Sequence, residues 1–171
     1  MLTRSLWCGS FLLVGLALAC GGDGASKPES EREHADASHE PSTEDEVIPC
    51  PSSTPTFEPG MSVAGESARI TARLVSAQPT APRKFENSWV LEFVDAEGQP
   101  IDDIKVTPNE PWMDVHNHGG GYAPDVVARD EPGQLEFDRI NLKMPGPWRL
   151  NLNASSAKAG DDEIVIHVCV P

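Results

Sequence analysis

Residues Trp112 to Gly121 read Trp-Met-Asp-Val-His-Asn-His-Gly-Gly-Gly, which sets two imidazoles one residue apart, close to a thioether, and ends in three glycines. In an extended chain the period of two sends His116 and His118 to the same side, about 7 Å apart along the backbone, near enough for both rings to face one ion. Gly119, Gly120 and Gly121 then free the backbone to fold back sharply. Thioether sulfur with imidazole favours copper ahead of zinc, whereas a hard ion would call for carboxylates, and only Asp114 is at hand. Metal capture is the chemistry this stretch predicts. A second reading stays open, in which His116 and His118 are exposed loop residues with water and Asp114 as partners.

The same residues exclude several enzyme classes. A cupin metal site would carry a glutamate shortly after the His-x-His pair, where this chain has Gly121, Tyr122 and Ala123. The letters His-Asn-His also name a nuclease motif, but that motif spreads its histidines over a ββα unit and works on a basic surface, and neither condition holds. No Gly-x-Ser-x-Gly elbow, phosphate loop, dinucleotide fingerprint or zinc-protease helix is present. The carboxylate pairs Asp102-Asp103 and Asp161-Asp162 sit among turn residues and read as solvated loop charge. No catalytic residue is assigned, and the chain is expected to bind and not to catalyse.

Something must hold that stretch, and the chain is organised in three parts. Residues 1–19 carry one basic residue, Arg4, and an apolar run from Phe11 to Ala19, too short to span a bilayer and the right length for a secretory signal. Ala17-Leu18-Ala19 fits a small-x-small cleavage site, and Leu16-Ala17-Leu18-Ala19-Cys20 resembles a bacterial lipoprotein signal with Ala17 and Leu18 exchanged. Both readings cut before Cys20, and lipidation of Cys20 is the expectation. Gly21, in place of an aspartate, points to the outer membrane. Residues 21–46 hold nine acidic and two basic side chains with no aromatic and no β-branched aliphatic residue, so nothing offsets the entropy of ordering and a disordered tether is expected. As a flexible coil it would hold the next domain roughly 25 to 30 Å from a lipid anchor. Its histidines, His34 and His39, read as solvated.

Residues 47–171 suffice for one domain and not two. Their ten basic and eighteen acidic side chains, with no basic patch, argue against nucleic acid. Of the four cysteines, Cys8 leaves with the signal and Cys20 takes the lipid, which leaves Cys50 and Cys169 as a pair in an oxidising compartment. A disulfide is predicted, with a metal-ligating thiol pair as the competing reading. Short alternating apolar runs broken by Gly, Pro and Asp predict an all-β fold. The expected strands are Ser67 to Ala77, Ser88 to Asp95, Asp103 to Thr107, Asp125 to Arg129, Gln134 to Leu142, Trp148 to Asn153 and Glu163 to Val170. Seven strands at that spacing predict a sandwich, with Ile70, Ala72, Leu74, Trp89, Leu91, Phe93, Trp148, Leu150 and Leu152 facing inward. Asp95 to Gly98 and Asp130 to Gly133 read as hairpin turns, Ser155 to Asp162 as the last connection, and His167 as a buried, hydrogen-bonded imidazole.

Pro111-Trp112-Met113-Asp114-Val115-His116-Asn117-His118-Gly119 and Leu142-Lys143-Met144-Pro145-Gly146-Pro147-Trp148-Arg149-Leu150 together resemble the YtkA-like family of exported bacterial domains. The resemblance implies an immunoglobulin-like β-sandwich in which a Met/His segment precedes a hairpin and a Met-Pro-Gly-x-Trp turn opens a late strand. It also implies copper binding or handling in the cell envelope, with Met113, His116, His118 and Met144 as the ligands. Histidine stands in the first segment where the family's paired methionines around a proline are expected, which lessens the expected preference for Cu(I). Met144 has an alternative use as a plug for the end of the core. The function expected is that of a lipid-anchored envelope protein, its domain in the periplasm or at the cell surface, with a metal-handling partner. The alternative is a non-metal interaction or scaffolding module.

Overall fold

The computed structural model describes residues 48–171; the expected signal peptide, the lipidated Cys20 and the acidic tether lie outside the described residues. Ten strands follow one another: β1 (Ser62–Ala64), β2 (Thr71–Gln78), β3 (Phe85–Val94), β4 (Lys105–Pro108), β5 (Trp112–Met113), β6 (His118–Gly119), β7 (Asp125–Ala128), β8 (Gln134–Leu142), β9 (Gly146–Ser156) and β10 (Gly160–Val170). Among the described residues there is no helix. One sheet runs β1-β2-β3-β8-β7 and the other β10-β9-β5-β6, with β4 also paired to β9, and all named pairs are antiparallel. The chain is an all-β sandwich, as its alternation predicts.

Period two explains the core. Trp89, Leu91 and Phe93 of β3 face Trp148, Leu150 and Leu152 of β9 and Ile164, Ile166 and Val168 of β10 within one buried cluster. Two bulges reset that period. In β2 the register shifts between Leu74 and Ser76, and in the β3–β8 pair between Asn87 and Trp89, where Asp138 and Arg139 of β8 stand opposite the single residue Ser88 and Arg139 takes φ 58°. Ala77, Ile140 and Leu142 are thereby returned to the core side.

Five sequence expectations are corrected. Three short strands, β1, β5 and β6, join the predicted seven. The strand expected from Ser67 begins at Thr71, because the preceding loop wraps around Asp162, which accepts backbone N–H bonds from Ser67, Arg69 and Ile70 at 2.8, 2.9 and 3.1 Å. Asp162 is therefore buried structure and not solvated charge. The connection expected from Ser155 to Asp162 shrinks to Ala157–Ala159, with Asp103 accepting from the Ser156 hydroxyl at 2.7 Å and the Ala157 N–H at 2.8 Å. Those two bonds, the Ser156 hydroxyl foremost, hold the Asp103 carboxyl below its ordinary range. Both expected hairpin turns form: Asp130 to Gly133 joins β7 to β8, and Asp95 to Gly98, closed by the Gly98 N–H on the Asp95 carbonyl at 3.0 Å, brings Pro100 back against Val94 before the chain crosses to the other sheet. His167 is exposed, because on β10 it shares the outward face with Val165 and Cys169.

Cys50 and Cys169 are disulfide-bonded, with Cα atoms 5.8 Å apart and 119 residues of separation. The bridge ties the segment entering the domain to the end of β10. There Cys169 pairs with Pro147 and Val170 with Gly146, so the bridge lies at the end of the sandwich where the Met-Pro-Gly turn opens β9.

Candidate metal site at the Met/His hairpin

Strands β4 and β5 form one interrupted line along β9. Lys105 to Pro108 pair with Ser155 to Leu152, the Asn109 N–H bonds the Asn151 carbonyl at 2.9 Å, and Trp112 pairs with Arg149. The line lapses at Glu110 and Pro111, the proline having no N–H to give to a ladder. The chain then turns over Asp114 to Asn117, closed by Asn117 N–H to the Asp114 carbonyl at 3.2 Å with Asn117 at φ 52°, and returns as β6. This hairpin sets Met113 opposite His118. Directly opposed residues of an antiparallel pair project to the same face, so the Met113 thioether and the His118 ring leave the hairpin on one side.

The three glycines do more than allow a bend. A side chain on Gly119 would collide with the Glu110 carboxylate, and one on Gly120 with the Asn141 carbonyl. Glu110 accepts the Gly121 N–H at 2.7 Å, Gly120 N–H bonds the Pro111 carbonyl at 2.8 Å, and the Asn141 amide donates to the Gly120 carbonyl at 2.7 Å. Only Gly121 needs a positive φ, at 97°. The segment is thus clasped to β8. Gly120→Ala drives a methyl against β8 backbone that cannot step aside, and we expect a loss of about 1 to 3 kcal/mol. Chemical denaturation of the variant beside the parent measures it, and an unchanged midpoint would show that the clasp is loose.

The four sequence-predicted ligands fall unequally. His118 Nε2 lies 3.1 Å from Met144 Sδ. The His116 and His118 rings stack with centroids 5.9 Å apart and planes 19° from parallel, and His118 meets Trp148 edge-on at 5.6 Å. His118 Nδ1 lies 3.3 Å from the Gly119 carbonyl. With the proton on Nδ1, that carbonyl is its acceptor and the Nε2 lone pair faces the sulfur; with the proton on Nε2, the same contact is an N–H···S bond. Trp148 donates its indole N–H to the Met144 carbonyl at 3.0 Å, which fixes the Met-Pro-Gly turn. Met144 is partly buried against the core, Met113 is fully buried within it, and His116 is exposed.

Sequence reasoning left out Glu110, Asn141 and Arg149. Three successive glycines are themselves a signal of close backbone approach, though not of what approaches. Asp114 is bound by Arg149 Nε at 3.1 Å and Glu110 by the Gly121 N–H at 2.7 Å, so both nearby carboxylates are engaged away from the histidines. Among the described residues, no group of three or more His, Cys, Asp or Glu side chains is placed to hold a metal ion. A site here draws on sulfur. With metal–nitrogen and metal–sulfur bonds of about 2.0 and 2.3 Å, adjacent ligands of one tetrahedral ion lie about 3.5 Å apart, so the His118–Met144 pair, at 3.1 Å, would open by a few tenths of an ångström to admit one.

The class of molecule is then defined: a two-sheet β-sandwich with a thioether–imidazole hairpin at the end where its disulfide enters. The profile of the YtkA-like family matches residues 65–153, more than half of the chain, and the chain belongs to that family. The matched stretch includes Met113, His116, His118 and Met144 and leaves both bridged cysteines outside. No curated protein and no solved structure matched the chain.

Proposed function

We propose that this chain is a lipid-anchored envelope protein whose sandwich domain captures and passes on a copper ion. The observation that carries the reading is the 3.1 Å approach of His118 Nε2 to Met144 Sδ, with Met113 opposite His118 across the hairpin. Two thioethers and one imidazole make a soft donor set, which favours Cu(I) despite the histidine in the first segment. His116, exposed and stacked on His118, would be the ligand through which an ion enters or leaves. The bound ion would be cargo and not a reaction centre. A lipid on Cys20 and the acidic tether would keep the domain near the membrane and within reach of a metal-handling partner.

The test is titration of residues 20–171 carrying Cys20→Ser with Cu(I) and with Cu(II), beside the same chain with His118→Ala and Met144→Leu. The expected result is one equivalent of Cu(I) bound tighter than about 1 μM and lost in the double variant. Binding no tighter than that in either oxidation state, or binding that survives in the variant, overturns the reading. The second outcome would assign the metal to other histidines, such as His34 and His39.

A protein-interaction face is the second reading, and Phe85 favours it. This side chain is 64% exposed at φ 71°, held there by the buried Asn87 amide, which accepts from the Arg83 N–H and donates to the Arg83, Phe85 and Ile140 carbonyls. A strained, exposed aromatic is costly to keep without a use.

A further inference from the structure

Gly146 lies at the centre of an arrangement that the metal-site reading does not use. A Cβ built on it would fall 2.7 Å from the Met113 terminal methyl, 3.5 Å from the Ile48 Cβ and 3.6 Å from the Ile48 carbonyl oxygen. Met113 and Ile48 therefore converge on the one spot that a side chain at position 146 would occupy. Gly146 is two residues past Met144, and its φ of 117° belongs to the turn that presents Met144 to His118. Ile48 is two residues before Cys50, whose partner Cys169 pairs with Pro147 on the strand that the turn opens. The buried thioether, the turn carrying the second thioether and the entering segment thus border one spot, and the disulfide pins the entering segment there.

We infer that Ile48, held by the Cys50–Cys169 bridge, is a positioning clamp for the thioether pair: it closes the base of the site behind Met113 and fixes the Met144 turn against His118. The inference rests on the copper reading. Methionine has three rotatable bonds, so two thioethers make a defined site only if neighbours restrict them. Groups that orient ligands without touching the metal are commonly worth 10- to 100-fold in affinity. Met113, Met144 and Gly146 fall in the stretch that matches the family, and Ile48 and both cysteines lie outside it.

The experiment compares residues 20–171 carrying Cys20→Ser with two further variants in that background, Ile48→Gly and the pair Cys50→Ser/Cys169→Ser. Cu(I) affinity is read by chelator competition, and the Met113 and Met144 methyl signals are read by NMR before metal is added. We expect Ile48→Gly, which keeps the bridge, to lower affinity about tenfold and to shift the Met113 methyl in the metal-free protein. The cysteine pair should do the same or more. Parent-like affinity with unmoved methyl signals in Ile48→Gly overturns the clamp, even if the cysteine variant fails to fold. If the parent binds no Cu(I), the copper reading fails by itself, and the metal-free methyl shifts still decide whether Ile48 sets the position of Met113.

Discussion

Replacing Cys50 and Cys169 together with serine is expected to remove about 4 to 5 kcal/mol of stability, the largest effect of any change considered for this chain. The bridge spans 119 residues, nearly the whole described domain, so in the unfolded state it forbids most end-to-end separations that a free chain would sample. Loop-closure entropy grows only with the logarithm of length, which makes this figure close to the ceiling for a single disulfide. Its Cα separation of 5.8 Å is ordinary, so the folded state accepts the link without moving backbone. Against a typical domain stability of about 5 to 15 kcal/mol, such a loss takes a third or more of the total. Urea denaturation of the serine pair beside the oxidised parent should show a midpoint lower by about 2 M, given slopes of about 1 to 3 kcal/mol per molar for small proteins. A difference below about 1 kcal/mol would mean that the reduced chain already keeps its ends together when unfolded.

What the sequence disclosed follows from where a period of two operates. Ala72 and Leu74, like Trp89, Leu91 and Phe93, lie on long strands with one face in the core, and alternation over several residues is hard to mistake. The strands that were not foreseen, β1, β5 and β6, are three, two and two residues long. A segment that short holds no full repeat, and its pairing is imposed by its neighbours, as β9 imposes it on Trp112. The same parity could have corrected two other expectations. Asp162 and His167 sit on one strand, and counting back from Ile164 and Ile166 puts Asp162 inside, while His167 falls with Val165 and Cys169 outside. Acidic composition and apolar neighbours are weaker guides to burial than that parity. The bulges at Val75 and Arg139 carry no such signal, since an extra residue only exchanges which parity is buried. At the candidate site the residue types were legible, because thioether and imidazole are sparse here and cluster beside a run of three glycines. The meeting of His118 with Met144 across 26 residues was not, and only the family resemblance put them together.

The second large effect is expected at Asp162, whose parity puts a carboxylate in the wall of the sandwich. Oδ1 accepts from the Ser67 and Glu163 N–H groups at 2.8 and 3.0 Å, and Oδ2 from the Arg69 and Ile70 N–H groups at 2.9 and 3.1 Å. Four donors occupy essentially all of its acceptor sites. Gly65 makes the arrangement possible, since a methyl there would collide with the carboxylate. Burial pushes the Asp162 carboxyl up, but the four N–H bonds together outweigh it and its pKa lies below the ordinary 3.8. Asp162→Ala strips partners from several N–H groups at once, among them the buried Ile70. With an unsatisfied buried donor costing about 1 to 3 kcal/mol, and the exposed ones recovering water, a loss of about 3 kcal/mol is expected at neutral pH. The pH dependence distinguishes charge from packing. A carboxyl whose folded pKa is depressed contributes stability above its unfolded value and loses that contribution as pH falls from about 3.8 through the folded value. The gap between parent and Asp162→Ala should therefore be constant from pH 7 to about 5 and narrow steadily below about 4. Paired thermal melts across that range decide it. A gap that does not narrow in acid would show that Asp162 holds the loop by shape, with its ionised form contributing nothing.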